Sequence, residues 1–208
     1  FLFWYGWDEP NLHDWQLNLY VQQLLHATVK AVDPYHVMFG LYARYIPPAP
    51  EAVAFFDMLG YDVYTYTHWE GQYADVCGAM AAQTAQLDAR AAERRQPVWM
   101  VPMGTALDPV RVPRVLSGQE QLCQSYAAII YGARGLLYFH YNSTYGRETW
   151  AALRALGEQV QAFAPAVLHD PVEQAVAYAA GNFDVARWQC PPVPFRFFRF
   201  PDGRLMAL

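Results

Sequence analysis

The sequence predicts an α/β fold: a partial (β/α)8 TIM barrel of about five β/α units, followed by an antiparallel β segment. Three observations predict it. Short apolar runs alternate with helix-length stretches up to about residue 168, the order that parallel strands joined by right-handed crossovers require. None of those runs leads into GxGxxG or GxxxxGK[ST], the phosphate loops that would favour an open nucleotide-binding sheet. Beyond that point the pattern changes to short alternating segments with a PDG turn, which reads as antiparallel hairpins. Residues 1–168 are therefore assigned to the barrel portion and 169–208 to the start of a β domain.

The first strand is the aromatic run Phe1 to Tyr5, closed by Asp8, Glu9 and Pro10. Asp14 is placed to cap a helix whose apolar residues, among them Trp15, Leu19, Leu25 and Val29, fall mostly on one face as far as Asp33-Pro34. Val37 to Tyr42 is the next strand, and the YIPPAP loop leads to a brief helix near Glu51 to Phe56. Met58 to Tyr66 reads as a strand and Gln72 to Arg95, rich in Ala, Gln and Arg, as a helix. Val98 to Met103 is a strand, Gly118 to Tyr131 a helix, and Gly132 and Gly135 bracket its end, where left-handed backbone is needed. LLYFHY at 136–141 is the last strand of the series, and Glu148 to about Phe163 its helix. In the tail, AVAYAA, FDVARWQC and FRFFRF-PDG-RLMAL read as antiparallel strands.

Composition narrows the function. With 54% hydrophobic and 16% charged residues, the 208-residue chain has material for a large core and no signature of disorder. A net charge of -5 with scattered Lys and Arg provides no basic stripe, so neither nucleic acid nor an anionic membrane is an expected partner. No run of apolar residues is long enough to cross a bilayer. Cys77, Cys123 and Cys190 form no CxxC or Cys/His cluster, so no metal is expected, and they are read as core or surface thiols. No organic cofactor is implied. The chain is expected to be an excised piece whose N-terminal barrel half and signal region lie elsewhere in the same protein, with a secreted or periplasmic location suspected.

Barrel chemistry sits at the C-terminal ends of the strands. Those ends carry Asp8 and Glu9, then Tyr42, then Asp62 with Tyr64 and Tyr66, then Met103, then His140 and Asn142. Trp7 beside the acid pair and Trp69 on the loop after Asp62 add aromatic surface. Carboxylates among aromatic side chains suit a sugar, whose ring stacks on an aromatic face while its hydroxyls take hydrogen bonds. Glu9 is the expected general acid and Asp62 its partner; Asp8, Trp7, Tyr42, Tyr64, Tyr66, Trp69, Met103, His140 and Asn142 are the expected substrate contacts. Because proline disfavours helix in the residue before it, Glu9 is expected to stay extended. His36, at the opposite end of its strand, is expected to be structural, held by Asp33 or backbone.

The segments YGWDEPN, VDPYHV, LGYDVYTY, PVWMVP and GARGLLYFHYN, in that order, resemble a group of glycoside-hydrolase-like (β/α)8 proteins with a strand-four DEP motif. The resemblance covers about residues 1 to 145 and implies that the strand ending at Asp8-Glu9 is the fourth of the barrel and Val98 to Met103 the seventh. It implies an acid/base at Glu9, with Asp8 where hydrolases of the largest barrel clan carry Asn. Those hydrolases place a glutamate nucleophile after strand seven, whereas PVWMVPMG has no carboxylate and shows Met103 where this group often has Gln. Two functions stay open: a glycoside hydrolase acting on an oligo- or polysaccharide, or a carbohydrate-binding barrel that has lost hydrolysis. A barrel hydrolase of non-sugar substrates finds no nucleophile elbow or HExxH in the sequence.

Overall fold

Residues 3–12, 15–43, 50–64, 66–67, 71–72, 76–92, 94–104, 116–139, 146–168, 176–179 and 193–208 are described in the structure, a computed structural model. Strands β1 (Phe3–Asp8), β2 (Val37–Ala43), β3 (Met58–Val63), β6 (Val98–Pro102) and β7 (Gly135–Leu136) form one sheet in the order β1-β2-β3-β6-β7. Every pairing in it is parallel. Helix α1 (Trp15–Val32) joins β1 to β2, α2 (Val76–Ala92) joins β3 to β6, α3 (Gly118–Ile130) joins β6 to β7, and α4 (Arg147–Val167) follows β7. The β2–β3 connection carries a 3-10 turn at Pro50–Val53 in place of the expected helix. A two-residue hairpin, β4 (Tyr66–Thr67) with β5 (Gly71–Gln72), lies beyond β3.

Alternation along the strands sorts side chains onto two faces. Phe39, Leu41, Met58 and Val101 pack with Phe3 and Trp99 on one face, an aromatic cluster in which the Phe3 and Phe39 ring centroids are 5.2 Å apart. Met38, Tyr42, Leu59, Tyr61, Val98 and Met100 face the other way, against Met80, Leu87 and Ala91 of α2 and Ala127 and Ala128 of α3. At the N-terminal end of the sheet the Trp4 indole donates to Asp33 Oδ2 at 3.0 Å and His36 Nδ1 lies 2.8 Å from the same oxygen. The Trp4 bond above all holds the Asp33 carboxyl down at about 2. His36 is thus tied to Asp33 as the sequence suggested.

Several boundaries differ from expectation. β1 runs on to Asp8, and β3 stops at Val63, two residues before the small hairpin. β7 is short, yet its ladder continues through Leu137 N–H to Met100 O at 3.0 Å and Phe139 N–H to Pro102 O at 3.1 Å. α3 opens on a capping box: Ser117 Oγ accepts from Glu120 N–H while Glu120 Oε2 accepts from Ser117 N–H. Of the two glycines after it, Gly132 has the expected left-handed backbone, φ 124°. Gly135 serves a different need, since a Cβ there would sit 2.3 Å from the Trp99 indole. Cys123 on α3 is disulfide-bonded, which corrects the reading of all three cysteines as unpaired thiols.

The tail is an antiparallel sheet of β8 (Val176–Ala179), β9 (Val193–Arg199) and β10 (Leu205–Ala207), in the order β10-β9-β8. The PDG turn closes β9 on β10, with Gly203 at φ 91° and Phe200 N–H donating to Arg204 O at 2.8 Å. Phe198 packs on Ile129 of α3 and on Phe163 and Val167 of α4, and buried Arg196 donates Nη1 to Ile130 O at 3.1 Å. The FDVARWQC segment lies outside the described residues. No helix among the described residues is long and apolar enough to cross a membrane.

Candidate active site

The acid pair owes its position to an irregularity in β1. Tyr5 pairs with Phe39 and Asp8 with Leu41, so β1 spends one more residue than β2 over the same interval. Such a bulge re-aims the side chains that follow it. Glu9 then takes φ 46°, in the left-handed region, which corrects the expectation of an extended residue: proline excludes the right-handed helical conformation before it, and the chain takes the other helical basin. That conformation is costly for a residue with a Cβ, on the order of 1–3 kcal/mol, and persists where the surroundings enforce it. Here Glu9 N–H donates to Leu41 O at 3.0 Å and Leu12 N–H donates to Glu9 O at 3.1 Å. Asn11 clamps the same turn onto β2: its Nδ2 donates to Ala43 O and its Oδ1 accepts from Ala43 N–H at 3.2 Å. Asn18 on α1 adds a bond from Nδ2 to Pro10 O at 2.6 Å.

Asp62 reaches the same place from β3, where it pairs with Ala43 on one side and Val101 on the other. Only 4% of its surface is exposed. The Tyr64 hydroxyl donates to Asp62 Oδ2 at 3.0 Å, and the Tyr5 hydroxyl donates to Asp8 Oδ1 at 2.7 Å. The Glu9 carboxyl lies against that of Asp62. Asp62 Oδ1 is nevertheless a buried oxygen with no donor in ordinary hydrogen-bond geometry. Two ionised carboxyls in contact repel, so one proton held between Glu9 and Asp62 is favoured. Burial first, then the charges of Glu9 and Asp8, raise the Asp62 carboxyl to about 8 against the lowering bond from Tyr64. Burial and the Asp62 charge likewise raise Tyr64, so its hydroxyl stays a donor at neutral pH.

Around this pair lies a cleft of ≈ 490 Å³ lined by Tyr5, Asp8, Glu9, Leu41, Asp62, Tyr64, Val101, Leu137, Tyr138 and Phe139. Its size falls in the ordinary range for small-ligand sites, roughly 300–1,000 Å³. A second cavity of ≈ 310 Å³, between β7, α3 and α4, has an apolar lining with Arg134 and no carboxylate, so the chemistry belongs to the first. No group of three or more His, Cys, Asp or Glu among the described residues has the arrangement of a metal site.

Of the expected site residues, Asp8, Glu9, Asp62 and Tyr64 come together in the cleft. Trp7 is half-buried and does not line it. Tyr42 is fully buried on the other face of the sheet, edge-on to Phe56 with ring centroids 6.2 Å apart, so it cannot meet a ligand in this cleft. Met103 is also fully buried, beneath Leu116 and Tyr64. Tyr66 lies on β4, its side chain outside what is described, and Trp69, His140 and Asn142 lie outside the described residues. The sequence reading missed Tyr5, Tyr138 and Phe139. Counting back by two from His140 reaches Tyr138, a signal present in LLYFHY, whereas Phe139 has the opposite parity and lines the cleft all the same.

No protein-family model and no curated protein matches the chain. Among solved structures, the chain is similar to a cold-adapted β-galactosidase from Rahnella sp. R3, with a TM-score of 0.50 and 17% identity over 76% of this chain and 26% of that one. A β-glucuronidase from Ruminococcus gnavus matches with a TM-score of 0.48 and 16% identity, over 70% of this chain and 27% of that one. The chain thus spans about a quarter of the length of the solved structures it matches. Five parallel strands with their helices, followed by antiparallel strands, form an α/β fold that resembles part of the solved β-galactosidase.

Proposed function

We propose that the cleft binds a carbohydrate and that Glu9 and Asp62 hold between them the proton used to cleave a glycosidic bond. The observation that carries this is the contact of the two carboxyls at the strand ends, with Asp62 raised to about 8 by burial and by neighbouring negative charge. At neutral pH the pair keeps one proton. Glu9, less buried than Asp62, is the member placed to pass that proton to the glycosidic oxygen. As the C–O bond breaks, the pair becomes fully ionised and faces the positive charge building at the anomeric carbon, which a water or the second carboxylate then takes up. Asp8, held by Tyr5, is left to accept a sugar hydroxyl.

A second reading has its own support. The two carboxyls touch, whereas retaining glycosidases hold theirs about 5–5.5 Å apart and inverting ones about 6.5–9.5 Å. β6 ends without an acid, Met103 being buried there. Both features suit a barrel that binds sugar without hydrolysing it. In either case we infer that further β/α units of the same protein flank β1 and β7, each of which has one neighbouring strand here and presents part-exposed aromatics, Trp4, Tyr5 and Phe139. The disulfide at Cys123 supports work in an oxidising compartment, secreted or periplasmic.

The test is a panel of nitrophenyl glycosides with the whole protein, run beside oligosaccharide binding. Turnover that declines on the alkaline side near pH 8 is the expected result, because the pair then loses its proton. Binding with no turnover on any glycoside would establish the second reading. Absence of both would overturn the carbohydrate assignment.

A further inference from the structure

The cleft asks its ligand for positive charge. Three carboxylates line it, Asp8, Glu9 and Asp62, and no Lys, Arg or His stands among its described lining residues. Its hydroxyl donors are already committed. Tyr5 gives its proton to Asp8, Tyr64 to Asp62 Oδ2, and the Tyr138 hydroxyl pairs with Ser125 Oγ on α3. Besides Tyr138, what β2, β6 and the stretch following β7 contribute is apolar: Leu41, Val101, Leu137 and Phe139. Asp62, with 4% of its surface exposed, keeps Oδ1 without a donor. A buried acceptor left unpaired is costly, so the group that belongs beside it is a donor.

We propose that the sugar taken by this cleft carries a protonated amine, set against Asp62 Oδ1 and the Glu9 carboxyl, and that sugars bearing a carboxylate are refused. This rests on the carbohydrate reading above and specifies its substrate class. An ammonium supplies three donors and a charge opposite to the net charge of the acids in a site partly removed from water, where the attraction is least screened. A neutral sugar offers hydroxyl donors without the charge. A uronate adds a further negative charge with no cation in the described lining to meet it.

The experiment is titration of the whole protein with glucose, glucosamine and glucuronate at pH 7 by calorimetry. Glucosamine is expected to bind at least tenfold more tightly than glucose, and glucuronate at least tenfold more weakly than glucose. In a Glu9→Gln, Asp62→Asn double variant the glucosamine advantage should vanish. Equal affinity for glucose and glucosamine, or tightest binding of glucuronate, would overturn the amine preference while leaving the carbohydrate reading in place. If none of the three sugars and no oligosaccharide binds, the carbohydrate reading itself falls.

Discussion

Glu9→Gln should lower turnover of an activated glycoside by about 10²–10⁴-fold, the usual contribution of a positioned general acid, with sugar affinity changed far less. The substitution keeps the side-chain shape and the backbone that Leu41 O and Asn11 hold in place. It leaves an amide able to donate to Asp62 but unable to surrender a proton to a leaving group. Removing the Glu9 charge also removes one of the causes that raise Asp62, so any residual activity should lose its alkaline limb at a lower pH than in the parent. Asp8→Asn should cost about tenfold or less, since Asp8 lies nearer the surface and its bond from Tyr5 survives with the amide oxygen as acceptor. Near-normal hydrolysis by Glu9→Gln would remove Glu9 from the role of acid.

Asp62→Asn should do two opposite things, abolishing turnover and stabilising the fold at alkaline pH. The folded-state value of about 8 lies above the ordinary 3.8, so the native state binds a proton more tightly than the unfolded chain does. Stability from this group is therefore fully present below about pH 4 and is lost progressively as pH rises through 8. Asparagine cannot ionise, and its amide offers Oδ1 to Tyr64 and a donor to Glu9. The variant should match the parent at pH 4 and exceed it at pH 8 by roughly 2–4 kcal/mol, or about 5–10 °C in Tm. Such an exchange of stability for function is expected where a buried charge serves catalysis. Equal pH dependence in parent and variant melting curves would show that Asp62 ionises normally.

The parallel strand order and the three acids were legible because each rests on a local signal. A run of apolar residues ending in carboxylates marks a strand tip whichever way the strand is rotated. Side-chain direction was not legible in the same way. VMFGLYA is apolar at every position because both faces of β2 are covered, so nothing in it says that Leu41 lines the cleft while Tyr42 turns to Phe56. Met103 shares the period-two face of cleft-lining Val101, and parity alone puts it in the site; Leu116, from just before the next helix, packs over it together with Tyr64. Tyr5 was missed because the bulge between Tyr5 and Asp8 brings two residues of different apparent parity into one cleft. Asn11 was visible in YGWDEPN, but its bonds to Ala43 depend on β2 lying alongside, a contact across 32 residues.

The shared proton is tested most directly by following the side-chain carboxyl carbons of Asp and Glu in the whole protein by NMR as pH is raised. One carboxyl step near pH 8 is expected, absent in Asp62→Asn and displaced to lower pH in Glu9→Gln. Titration of every side-chain carboxyl below about pH 5, in the range of ordinary carboxylates, would contradict it: the pair would then be two ionised acids at neutral pH, with no proton to give.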